Sequence, residues 1–159
     1  MGNANSNSVY VQIDKPACLP GDLISGHVHV NIVSMVTCTG LYIKVSGKEW
    51  VRLTRHRKKR SHTYSGGRSM FKLQVPLQSD YSESLIGQYT FPFSFRLPLN
   101  LPGSASFDRV SGNDSIRAGT TYKVKGVVAI AGMLKSNLRH SQELKVIQSS
   151  VFSATLRLM

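Results

Sequence analysis

Two residues near the N-terminus have the identity and the spacing that an N-myristoylation site requires. Gly2 follows the initiator methionine, and Ser6 occupies the hydroxyl position of the pattern Met-Gly-x-x-x-Ser/Thr. Glycine is needed because its freed amine has no side chain that would block the acyltransferase. Residues 1–8 are small and polar and have nothing to bury, so we expect a flexible leader that makes Gly2 accessible. The alternative is a chance match to a short pattern.

A dense run of positive charge lies within residues 54–69. Its basic members are Arg55, Arg57, Lys58, Lys59 and Arg60. Residues 50–79 contain no acid, so the sequence predicts that the run binds anionic lipid or phosphate. One myristoyl chain gives only reversible membrane binding, and basic residues near an anionic leaflet add up to about 1 kcal/mol each, so the two signals together predict stable anchoring. Two alternatives stay open for the run: a solvated loop without a ligand, and a nuclear-import or nucleic-acid patch.

Two hydroxyl side chains, Ser61 and Thr63, directly follow the basic run. Phosphorylation at either residue would add negative charge beside the positive cluster. We therefore interpret both as phosphorylation sites whose modification would release the protein from a membrane.

No group of residues suited to catalysis or to metal binding stands out in the sequence. His27 and His29 share one face of a predicted strand, but no further cysteine, histidine or acid is evidently placed with them, so solvent-facing side chains are favoured. The 8 acids form no recognisable catalytic pair, and no G-x-S-x-G elbow is present. The sequence predicts a noncatalytic protein with no catalytic residues, no metal site and no cofactor.

Composition and charge limit the kinds of partner. The 159 residues fit one domain, and 20 Lys and Arg against 8 Asp and Glu give a net charge of +12, which favours anionic partners. Cys18 and Cys38 are too far apart for a C-x-x-C motif, and the N-terminus has no signal-like apolar run, so the cytoplasm is the simplest location. No segment approaches the roughly 18 apolar residues of a membrane span, so any membrane contact is expected to be peripheral.

The segments that must position these residues are predicted to be strands. Apolar side chains recur at every second position in the most regular of them, at Tyr89, Phe91, Phe93, Phe95 and Leu97. This period indicates a strand with one buried face. Pro92 has no amide hydrogen to give to a ladder, so this strand is expected at a sheet edge or a bulge.

The same alternation recurs in residues 24–32, 41–45 and 122–130, with separators rich in Gly, Pro, Ser and Asn. The pattern predicts an all-β fold, an antiparallel β-sandwich of seven to nine strands. The predicted core includes Val28, Val45, Phe91, Phe93, Phe95 and Val124. Residues 54–69 show no periodicity and contain a Gly-Gly pair, so we predict a long flexible loop there, and another loop over residues 108–119.

The aromatic strand also resembles a known signature. Its Gly-x-Tyr, its aromatic-Pro-Phe core and its final Leu-Pro resemble the N-terminal domain of the arrestin superfamily. Five further segments occur in the order and at the spacing of that domain: Val9 to Asp14, Leu19 to Asp22, Ile24 to Val28, Leu41 to Gly47 and Tyr122 to Lys125. The resemblance covers residues 9–148 and implies an immunoglobulin-like, two-sheet arrestin sandwich, with residues 1–8 as leader and residues 149–159 as C-terminal tail.

The resemblance implies a noncatalytic adaptor that docks onto cytoplasmic segments of membrane proteins in trafficking or signalling, with trafficking or ubiquitination machinery as further partners. Together with Gly2 and the basic run, it leads us to expect a cytoplasmic protein that is peripheral on the cytoplasmic face of membranes and contacts anionic lipids. The alternative is a basic nucleic-acid-binding or nuclear β-sandwich factor, which charge alone supports. Nucleic acid is the less favoured partner because the basic run offers only Tyr64 for base stacking.

Overall fold

A computed structural model describes residues 6–78 and 83–148. These residues form eight strands and no helix. The strands are β1 (Ser8–Ile13), β2 (Ala17–Cys18), β3 (Leu23–Arg57), β4 (Arg60–Pro76), β5 (Glu83–Arg96), β6 (Ala105–Ser111), β7 (Asp114–Ile130) and β8 (Leu138–Val146). All pairings are antiparallel except that of β2 with β8. The predicted all-β, antiparallel sandwich is confirmed.

Strand β3 is long because it folds back on itself and contributes to both layers of the sandwich. Its first part pairs with β1 and β5, and its second part pairs with β4, β7 and the first three residues of β5. The register with β5 shifts between Ile32 and Val36, which marks the bend. The Asn7 side chain secures this bend, since its Oδ1 accepts hydrogen bonds from the amides of Val33 (2.8 Å) and Ser34 (3.0 Å).

Two layers result, which we call layer A and layer B. Layer A contains β1, residues 23–32 of β3, and residues 87–96 of β5. Layer B contains β4, residues 36–57 of β3, β7 and β8, with β6 paired to β7, β2 paired to β8, and residues 83–85 of β5 paired to β3. The two layers are in close contact at Gly126, where a Cβ atom would lie 2.7 Å from Val11 Cγ2 and 3.4 Å from Val28 Cγ1. Glycine is therefore required at this position so that layer A can rest on layer B.

The core lies between the layers and follows the predicted alternation. Val28, Val45 and Val124 are buried, as are Phe93 and Phe95. The expectation for Phe91 is wrong, because this residue is only partly buried. Its strand β5 bonds to β3 alone among the described strands, and the Phe91 ring stacks on Tyr89 at 6.2 Å near this open edge. The predicted edge position of Pro92 is confirmed by the same pairing.

Two segments predicted as loops are strands instead. Residues 54–69 belong to one continuous β3–β4 hairpin, paired from Arg57↔Arg60 to Tyr42↔Pro76. Residues 108–119 belong to the β6–β7 hairpin, whose turn contains Gly112 at φ 60°. Strand β3 lies between β4 and β7 here, so its backbone groups are bonded on both sides and hold the charged segment in an extended conformation.

Candidate functional site

The predicted basic site forms the end of the β3–β4 hairpin. We call this group the basic tip, and it consists of Arg55, Arg57, Lys58, Lys59 and Arg60. All five side chains are exposed. Lys58 has φ 33°, the left-handed conformation that a tight two-residue turn requires, and the turn brings Arg57 directly opposite Arg60. The sequence prediction of a charge cluster is therefore realised on a hairpin and not on a flexible loop.

The basic tip belongs to a four-stranded ribbon that continues layer B. We call residues 48–57, 60–69, 105–111 and 114–121 the ribbon, in the strand order β4-β3-β7-β6. Pairing of β3 with β7 extends to Arg55↔Asp114, and the His56 amide donates a further hydrogen bond to the Asn113 carbonyl oxygen at 2.9 Å. The two hairpin ends are therefore tied side by side.

The two faces of the ribbon differ in chemistry. The inner face continues the core-facing side of layer B, and the outer face is its reverse. Directly paired residues share a face, so Arg55, Arg57 and Arg60 lie on the inner face. Ser61 and Thr63 lie on the outer face, where Ser61 Oγ is 2.8 Å from His56 Nδ1 and Thr63 Oγ1 is 3.4 Å from Thr54 Oγ1. A phosphate on Ser61 or Thr63 would therefore stand on the opposite face from the arginines.

Ion pairs neutralise little of the positive charge of the basic tip. Arg55 Nε lies 4.0 Å from an oxygen of Asp114, a distance at which an exposed pair contributes little. The other four basic residues of the tip have no ion pair with an acid in the described part of the chain. Their charges therefore remain directed to solvent and to any anionic surface that approaches the end of the ribbon.

The sequence analysis missed an apolar patch on the inner face of the ribbon. Cross-strand neighbours form this patch: Val51, Leu53, Tyr64, Phe107 and Ile116. Phe107 is 55% exposed and Tyr64 57%. The alternation of Val51 and Leu53 with polar neighbours is the signal that could have indicated it, but residues on four separate strands had to be brought together. The inner face of the ribbon therefore combines an exposed apolar patch with positive charge.

The cysteine and histidine side chains have structural roles. Burial raises the pKa of the Cys18 thiol to about 11 and also raises the pKa of the Cys38 thiol, so both free thiols are protonated at neutral pH. His29 hydrogen-bonds Gln12 Oε1 at 2.9 Å and Thr90 Oγ1 at 3.1 Å, and His27 lies 3.8 Å from Asp14. In residues 6–78 and 83–148, no cluster of three or more histidine, cysteine or acidic side chains could hold a metal ion.

Gly2, the predicted lipidation site, lies outside the described residues. Within the part of the chain that the structure describes, no helix is long and apolar enough to cross a membrane.

Comparison with known proteins shows that the chain matches one protein family. The sequence model of "Arrestin (or S-antigen), N-terminal domain" matches residues 9–151. Arrestin domain-containing protein A of Dictyostelium discoideum is 28% identical over 137 residues, which are 79% of this chain and 24% of that protein. The chain thus spans about a quarter of the length of this curated relative.

A solved structure with the same fold comes from a bacterium. Spo0M, a sporulation control protein of Bacillus subtilis, superposes with a TM-score of 0.56 at 20% sequence identity, covering 96% of this chain and 56% of Spo0M. At this identity the likeness concerns the fold alone.

Proposed function

The chain belongs to the arrestin N-terminal domain family, and from this premise we propose that it is a noncatalytic adaptor that docks onto cytoplasmic parts of membrane proteins. In this proposal, myristoylated Gly2 and the basic tip hold it on the cytoplasmic face of a membrane. Family membership supports the adaptor role. The membrane role is supported by the residues and geometry of this chain.

The exposed, largely unpaired charge of the basic tip is the observation that carries the membrane proposal. Four basic side chains that form no ion pair with any described residue stand at the end of the hydrogen-bonded ribbon, on which the apolar patch with Tyr64 and Phe107 also lies. Cations attract the anionic headgroups, and aromatic rings on the inner face of the ribbon favour the headgroup level. A ribbon fixed by three strand pairings presents these groups together without ordering a loop upon binding.

The position of the leader constrains how the protein lies on the membrane. Ser8 pairs with Asn31 near the bend of β3, whereas Arg57 lies at the opposite end of the folded-back strand. Val28 and Ile43 are level, because both lie next to Gly126, so Ser8 and Arg57 are separated by about 17 residues of strand, or about 55 Å. The predicted flexible leader is shorter than residues 1–8, because Asn7 is held at the bend, and residues 2–6 span at most about 18 Å. Both anchors therefore reach one bilayer only if the strands lie roughly along its surface.

Vesicle binding tests the membrane role. Protein acylated by co-expression with an N-myristoyltransferase should bind vesicles that contain phosphatidylserine more tightly than neutral vesicles, and salt should weaken the binding. The triple change Arg57→Gln, Lys58→Gln and Lys59→Gln should remove most of this salt dependence. Phosphomimetic Asp at Ser61 and Thr63 should weaken binding less than the triple change does, because both residues lie on the other face.

A control with the same net charge separates the tip from charge in general. Lys15, Lys135 and Arg139 are exposed and lie outside the ribbon, and their joint replacement by Gln should leave the salt dependence nearly intact. Equal binding to neutral and acidic vesicles would contradict the proposal, and so would an equal loss in the two triple variants.

Cell fractionation tests the adaptor role. Wild-type protein should cofractionate with membranes, and crosslinking should recover integral membrane proteins through their cytoplasmic segments. Gly2→Ala should move the protein out of the membrane fraction. Recovery that depends on RNA, and that nuclease treatment abolishes, would contradict the adaptor proposal and favour nucleic acid.

A further inference from the structure

Four lysines form a cluster on the outer face of layer B, away from the basic tip. We call this group the lysine quartet, and it consists of Lys44 on β3, Lys72 on β4, and Lys123 and Lys125 on β7. The four side chains line a shallow cleft of about 480 Å³ together with Ser46 and Gln74. Neither the sequence motifs nor the proposed membrane role uses this cluster.

Strand register fixes the quartet as a compact arrangement. Lys44 lies directly opposite Lys125, while Ser46 lies between Lys72 on one side and Lys123 on the other. Two residues along a strand span about 7 Å, and neighbouring strands lie about 5 Å apart. The four lysine Cα atoms therefore fall within an area of about 7 by 10 Å on a hydrogen-bonded sheet.

No ion pair neutralises the quartet in the described part of the chain. None of the four ammonium groups lies within 4 Å of an acid there. Glu143 on β8 lies directly opposite Lys123 on β7, but the two side chains do not form such an ion pair. Lys44 is held over the ring of Tyr42 at 5.6 Å. This cation–π contact leaves the N–H groups of the Lys44 ammonium available for hydrogen bonds to an anion.

Like charges placed opposite each other on neighbouring strands destabilise a sheet, and Lys44 and Lys125 are in this relation. A bound anion would remove the repulsion and add charge-assisted hydrogen bonds. We propose that the lysine quartet is a binding site for a small ligand that carries two or more neighbouring phosphate groups, either free in solution or as a lipid headgroup.

The shape of the cluster favours a small polyphosphate over a polymer. A nucleic acid strand follows a track of cations and stacks its bases on exposed aromatic rings. The quartet is compact, and Tyr42, the aromatic ring in contact with it, is already covered by Lys44. Several phosphates on one small molecule match a compact group of four cations, each of which can donate up to three hydrogen bonds.

Calorimetric titration of the whole chain tests the site. Tripolyphosphate and inositol trisphosphate are the soluble probes, and vesicles that carry a phosphorylated inositol headgroup are the lipid probe. We expect saturable binding to at least one probe, an increase in melting temperature on binding, and weaker binding as salt rises. The double change Lys44→Gln and Lys125→Gln should weaken binding at least about tenfold, because two hydrogen bonds to charged groups are lost.

A matched variant of the basic tip and phosphatidylserine vesicles serve as controls. Lys58→Gln with Lys59→Gln removes the same charge from the basic tip, and it should leave binding of the soluble probes within about twofold while it weakens binding to phosphatidylserine vesicles. Binding of the headgroup vesicles alone, lost in the Lys44 and Lys125 variant, supports the site and identifies lipid as the source.

Three results would overturn the inference. They are an absence of saturable binding to every probe, an equal loss in the two double variants, and tighter binding of single-stranded RNA than of any small polyphosphate. The membrane proposal fails independently, because its test depends on the basic tip and on phosphatidylserine. Circular dichroism and the melting temperature of each ligand-free variant verify that it is folded.

Discussion

Truncation of Phe93 to alanine tests the core that holds layer A on layer B. Phe93 is 6% exposed, and its ring stacks on Phe95 with centroids 6.1 Å apart and planes 13° apart. Its Cζ atom lies 2.6 Å from the point that a Cβ atom of Gly26 would occupy, so the ring fills the space that this glycine leaves open. We expect Phe93→Ala to lower the free energy of unfolding by about 3 to 5 kcal/mol. This amount includes about 0.5 to 1.5 kcal/mol from the lost ring stacking.

The neighbouring structure cannot refill the cavity, so the effect should lie well inside that range. Gly26 has no side chain to move, and a Cβ atom there would collide with the carbonyl oxygen of Gln12 on β1. Adding Gly26→Ala to Phe93→Ala should therefore destabilise the protein further, although the added methyl group is smaller than the lost ring. A rescue by Gly26→Ala would contradict the packing described for this position.

Urea unfolding measures the effect, since a lower midpoint with an unchanged slope reports a change in stability alone. Phe107→Ala is the control, because this ring is 55% exposed on the ribbon and its loss should cost less than about 1 kcal/mol. A cost below about 1.5 kcal/mol for Phe93→Ala, or equal costs for the two variants, would refute the reasoning from burial.

Three further predictions follow from local contacts. Burial raises the pKa of the Cys18 thiol from 9.0 to about 11, so the folded state holds this proton more tightly than the unfolded state. Stability from this group is present below pH 9 and is lost as the pH rises towards 11, and Cys18→Ala should flatten that part of a series of urea midpoints. Lys125→Gln relieves repulsion with Lys44 and should raise the free energy of unfolding of the ligand-free protein by a few tenths of a kcal/mol, measured by urea unfolding. His140→Leu removes the Nδ1 acceptor of the Val11 amide, 3.0 Å away, and should cost about 1 to 3 kcal/mol and speed hydrogen exchange at Val11.

Local alternation of apolar and polar residues was sufficient to predict the core strands. Phe93 and Phe95 alternate with polar residues because one side of β5 is covered by the other layer and the other side meets solvent. Pro92 indicates an edge strand because it lacks an amide hydrogen. Phe91 shows where this argument ends, since alternation reports which face a residue occupies but not how far the opposite layer extends over it.

Residues 54–69 of the ribbon could not be predicted in the same way. Periodicity in a sequence arises from a difference in burial between two faces, and neither face of the ribbon is covered by a second layer. Residues 54–69 therefore have the composition of a loop, although pairing with β7 holds β3 extended there. The Gly-Gly pair that suggested flexibility lies within β4, opposite Val51 and Trp50.

The sequence by itself determined most of the core, the family, the net positive charge and the identity of the tip residues, because each of these depends on which residues occur and in what order along the chain. Only the tertiary structure decided which distant residues meet. The fold-back of β3 separates Ser8 from the basic tip, and strand register sets Lys44 against Lys125. Such contacts depend on pairings between segments far apart in the chain, and a local pattern contains no information about that register.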